Sequence, residues 1–103
     1  MQYSTIRQIK YHNQQAGCNF FSPDTLRFFK SRVHSAVYGG CLFVTSEKSG
    51  WRSPRLYTVR KCLEDGSIKT IGDFQGFATR YEAHAFAQYE ADKMRGENKS
   101  DIF

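Results

Sequence analysis

Five cations and one indole fall within a short stretch of this chain: Lys48, Arg52, Arg55, Arg60 and Lys61, with Trp51, the single tryptophan, among them. Cations at that density neutralise phosphates and release condensed counterions. An indole beside them stacks on a base or anchors a protein interface. The other arrangement open to Trp51 is to fold back and cap the core. Arg27, Lys30 and His34 are spaced i, i+3, i+7. On one helix they would make a second basic row, either touching phosphate or simply solvated.

Catalytic signatures are lacking. The chain has no phosphate-binding glycine loop with a lysine, no His-Glu-x-x-His and no Gly-x-Ser-x-Gly. Glu64 and Asp65 fall in a turn, Asp73 at a strand edge, and Glu82, Glu90 and Asp92 on a helix. Glu82 is accounted for by capping, and Glu90 and Asp92 point to different sides. Cys18, Cys41 and Cys62 are far apart in an odd-numbered set without Cys-x-x-Cys. Reduced, buried thiols are the expectation. A Cys–His pair joined only in space would leave no trace in spacing. His12, His34 and His84 do not complete a zinc pattern with the cysteines. The expected protein is non-enzymatic, with no metal and no cofactor.

Charge is unevenly spread along the chain. Residues 1–63 carry ten Lys and Arg against two acids (Asp24, Glu47), a balance of +8; residues 64–103 carry five against eight, a balance of −3. Such a split suits one basic face or end that meets nucleic acid or an acidic protein, unless folding mixes the halves. The length suits one domain, expected over 1–96 with a polar, frayed tail at 97–103. Nine Phe, six Tyr and one Trp can fill its core. No apolar run is long enough for a membrane span, and MQYSTIRQIK has no apolar signal segment. The expected location is the cytoplasm.

The elements that must position these residues follow from periodicity. Ser4 or Thr5 caps a helix to about Ala16, with Ile6, Ile9, Asn13 and Ala16 as its stripe and Gly17 as its stop. Ser22-Pro23-Asp24-Thr25 starts a second helix, expected to reach Val33 or His34 with Leu26, Phe29 and Val33 inward. Cys41–Thr45 is a near-continuous apolar run, suiting a central strand or one covered on both faces. SEKSGWRSP at 46–54 is a polar loop. Arg55–Leu63 and Ser67–Phe74 are strands joined by Glu64-Asp65-Gly66-Ser67, whose Asp-Gly is a hairpin signal. Thr79-x-x-Glu82 is a capping box, and Ala83, Phe86, Ala87, Ala91 and Met94 form a helical stripe that Gly96 would end.

Tyr57-Thr58-Val59-Arg60, Gly66, Ile71-Gly72-Asp73-Phe74, Thr79, Glu82-Ala83 and Ala87 together resemble the arm-type DNA-binding domain of phage integrases, a pattern shared by the plant ethylene-response domain. The resemblance spans 55–91. It implies three strands and a helix, with the sheet laid in the DNA major groove. Tyr57, Val59 and Leu63 would face the helix. Thr58, Arg60, Ile68 and Thr70 would then stand on the reading face, which carries fewer arginines than those domains offer. If instead the N-terminal helices cover that face, groove reading is excluded. The helix and strand order also echoes double-stranded-RNA-binding domains, with Arg80 where they place lysine. In general character the chain is similar to small accessory proteins of phages and plasmids.

The fold expected is α+β in the order α-α-β-β-β-α, a three-stranded antiparallel sheet packed by a long C-terminal helix. The partner expected is nucleic acid, DNA ahead of RNA. The alternative is an acidic host protein, bound through Phe20, Phe21, Tyr38 and Trp51 as a phage-encoded modulator of a host enzyme or defence system. No membrane partner is expected.

Overall fold

A computed structural model describes residues 2–28 and 30–100, the last four by backbone alone. The elements are α1 (Ile6–Gln15), α2 (Pro23–Phe28), β1 (Arg32–Val33), β2 (Leu42–Lys48), β3 (Arg55–Cys62), β4 (Ile68–Ile71) and α3 (Arg80–Ser100). The fold is α+β. Its antiparallel sheet has four strands in the order β1-β2-β3-β4, where the sequence suggested three.

The added strand comes from the segment expected to finish the second helix. α2 buries none of its residues, so no apolar face holds further turns in place. The chain turns at Lys30, whose φ is +51°. Arg32 and Val33 then pair with Ser46 and Thr45, and the His34 amide donates to the Val44 carbonyl at 2.9 Å. This pairing satisfies backbone groups that the outer edge of β2 would otherwise leave open. Phe29, expected inward, lies outside the described residues, as do 101–103.

β2 is the central element, and period-two alternation sends its side chains to two cores. Leu42 and Val44 join Val59 of β3 under Ala83, Ala87 and Ala91 of α3, flanked by Tyr57, Phe77 and Phe86. The alanines recur at i, i+4, i+8 and keep the helix close to the sheet. Phe43 points the other way, with Cys62, into a core with Ile9 of α1 and Phe21. Both faces are covered, which explains the near-continuous apolar run.

Local signals hold the helices as expected. The Thr5 hydroxyl accepts from the Gln8 amide while the Gln8 side chain reaches back, a capping box. The Thr79 hydroxyl accepts from the Glu82 amide at 3.2 Å. The β3–β4 turn closes through the Leu63 amide to Ser67 carbonyl bond at 2.9 Å. Gly66 there has φ +90°, and a Cβ on it would meet Ala16 Cβ at 2.8 Å and the His12 carbonyl oxygen at 2.9 Å. α3 runs through Gly96 to Ser100, past the expected stop. A lone glycine costs a helix interior about 1 kcal/mol but does not end it.

Candidate nucleic-acid interface

The loop between β2 and β3, residues 49–54, is the tip of a hairpin. The Ser53 amide closes it onto the Gly50 carbonyl at 3.2 Å, and the Lys48 ammonium donates to the Trp51 carbonyl at 3.4 Å. Trp51 is 83% exposed and Arg52 is exposed beside it. Of the two arrangements open to the indole, the exposed one is found.

The segment leading into α3 bonds to this hairpin. The Ser49 hydroxyl donates to Gln75 Oε1 at 3.1 Å. Gln75 Nε2 donates to the Glu47 carbonyl at 3.1 Å, and the Gln75 amide donates to Thr58 Oγ1 at 2.8 Å. Tyr57 and Phe77 exchange two backbone bonds, at 2.8 and 3.1 Å. The chain has only two residues between Phe77 and Arg80, which begins α3. Arg80 is exposed, and Tyr81 is 82% exposed. Arg80 was faintly marked by its place in the double-stranded-RNA-binding echo. Nothing marked Tyr81.

The six sequence candidates do not stay together. Trp51 and Arg52 share the loop, and Lys48 ends the strand that leads into it. Arg55, at the foot of β3, is half-buried, and its Nη1 donates to the Lys30 carbonyl, the Ser46 carbonyl and Ser46 Oγ, each at 3.0 Å. It pins the backbone where α2 gives way to β1. Six residues along a strand separate Arg55 from Lys61, roughly 20 Å. There Lys61 lines a cavity of about 350 Å³ with Tyr3, Cys41, Cys62 and Met94.

Arg60 lies on the sheet face away from α3, and its guanidinium is committed. Nε donates to Thr45 Oγ1 at 3.1 Å, Nη1 to Thr70 Oγ1 at 2.8 Å, and Nη2 meets Glu47 Oε2 at 3.3 Å. The rings of Phe20 and Phe74 lie 5.2 and 5.4 Å from it. Glu47 is 1% exposed, and its other oxygen accepts from the Thr58 hydroxyl at 2.7 Å. Of the two arrangements open to this face, covering by the N-terminal segment is the one found. Arg60 therefore serves as the counterion of a buried carboxylate.

A cluster invisible in the sequence sits beside α3. His34 Nδ1 lies 2.8 Å from His84 Nε2, and the Tyr38 hydroxyl 2.7 Å from His84 Nδ1. His34 meets the edge of Tyr57. Burial first, then His84 and Arg80, hold the His34 imidazole below its ordinary value; burial and Arg80 do the same for His84. The row of Arg27, Lys30 and His34 does not form, because His34 belongs to the sheet edge.

Cys18, Cys41 and Cys62 are free thiols. Burial pushes Cys41 and Cys62 up, away from the thiolate that a nucleophile needs. Among the described residues no three His, Cys, Asp or Glu side chains are grouped to hold a metal ion, and no helix is long and apolar enough to cross a membrane. The aromatic surface of the alternative reading is dispersed: Phe21 is buried, Phe20 covers Arg60, Tyr38 bonds His84, and Trp51 alone is exposed.

No curated protein and no solved structure matches the chain. One family model does, over residues 5–88, from the cap of α1 into α3; its description is a family of unknown function, DUF7447.

Proposed function

The chain belongs to the DUF7447 family, and we propose that it is a small, non-enzymatic protein that binds nucleic acid at the end formed by the β2–β3 loop and the start of α3. The observation that carries this reading is Trp51, 83% exposed between Lys48 and Arg52. An indole left in water adds little to the fold, and cations on both sides suit a phosphate chain with bases to stack. Arg80 and Tyr81 extend the same chemistry. The charge balance of the first 63 residues is in keeping with it.

The test is the affinity of the purified protein for labelled DNA and RNA. Binding should be measurable at about 50 mM salt and fall steeply towards about 200 mM. Absence of affinity at the lower salt would sink the proposal. The exposed indole also suits a second reading, an anchor for an acidic protein partner of the kind a phage-encoded modulator would capture. That complex would depend on Trp51 and respond far less to salt.

A further inference from the structure

Resting on the proposed function, we infer that the ligand is single-stranded nucleic acid, with unpaired bases stacking on Trp51 and its backbone running past Lys48, Arg52 and Arg80. The first ground is what the sheet cannot do. One face is closed by Ala83, Ala87 and Ala91, the other by Ile9 and Phe21, with Phe20 and Phe74 over Arg60. Among the described residues no sheet face is left to lie in a major groove, and the arginine placed to read bases is bound to Glu47. The second ground is the shape of what remains. Trp51 stands on a hairpin tip, and Tyr81, in the first turn of α3, is a second exposed ring. In a duplex the base faces are stacked on one another and unavailable, whereas a single strand presents them. Aromatic rings among cations are the means by which sequence-tolerant single-strand binders hold their ligands. The loop is anchored rather than loose, through Ser49, Gln75 and Glu47. A ring carried on an anchored backbone leaves less loop freedom to be lost on binding.

The experiment compares a labelled single strand of about 15 nucleotides with the same sequence as a blunt duplex, using anisotropy and Trp51 fluorescence. The single strand should bind about tenfold or more tightly and quench the indole. Trp51→Ala should lose about tenfold or more in single-strand affinity with circular dichroism unchanged, and Trp51→Phe should keep most of it. Equal or tighter duplex binding overturns the inference and leaves the proposed function standing. Wild-type single-strand affinity in a folded Trp51→Ala protein overturns the inference as well, and with it the placement of the site at this loop. No binding to either probe at low salt overturns both.

Discussion

Arg60 and Glu47 show how a residue type can mislead about its work. An arginine on a strand of a basic stretch invites a phosphate, yet this guanidinium has three protein acceptors and two rings against it. Removing one member of a buried pair strands the other, so Arg60→Met should cost about 3–5 kcal/mol in urea unfolding. A loss under about 1 kcal/mol would mean that Glu47 is not dependent on it. His34 and His84 give a second test at this scale. Their depressed folded values mean that the unfolded chain binds protons more readily. The stability they contribute is complete above about pH 6.5 and lost as pH falls from there through their lower folded values. Tyr38, Tyr57, Arg80, Arg55 and Glu47 surround the pair. Tm should therefore fall between about pH 7.5 and about pH 5 more steeply in the native chain than in His84→Gln. Parallel curves would show that the pair does not titrate in this way.

Among the elements, the β3–β4 turn and α3 read most clearly from sequence, because their signals are local. Asp-Gly needs only its own φ, and Thr79-x-x-Glu82 caps its own helix. Gly66 adds a demand from outside, since α1 packs against it. Gly66→Ala should cost about 2 kcal/mol, combining positive φ with a clash against His12 backbone that cannot yield. Gly96→Ala, with open space around it in α3, should gain up to about 1 kcal/mol. Thermal unfolding of the two variants checks both signs. α2 and β1 were misread because a proline-led cap announces where a helix begins, not where it ends. The end was decided by backbone pairing to β2, a strand ten residues further along the chain.

On the scale of the whole molecule, the question is whether the basic first half makes one surface. It does so only in part: Arg52 shares the loop with Trp51 and Lys48 leads into it, while Lys61 lies at the far end of β3, opposite Lys69. Two of the later acids are occupied within α3 itself, Glu90 with Lys93 at 3.2 Å and Asp92 with Arg95 at 3.4 Å. If the proposed end binds nucleic acid, the double variant Lys48→Ala/Arg52→Ala should lower the salt slope of binding by about two. Lys61→Ala/Lys69→Ala should leave the slope unchanged. The opposite pattern would move the site to the other end of the sheet.

The sequence by itself determined the α+β class, α1 with its cap, the β3–β4 hairpin, the alternation of β3 and the stripe of α3. Each rests on neighbours a few positions apart, where backbone preference and periodicity act directly. It also placed the cations and the indole in one stretch. Tertiary structure alone decided which of those groups face water. Whether Arg60 reads a ligand or pairs with Glu47 depends on Phe20 and Phe74, which approach from opposite ends of the chain. Whether the sheet offers an open face depends on α1 returning over Phe43 and Cys62. His34 meets His84 only because β1 and α3 pack on the same sheet. Such contacts are set by long-range packing, which leaves no periodic mark in the residues that make it.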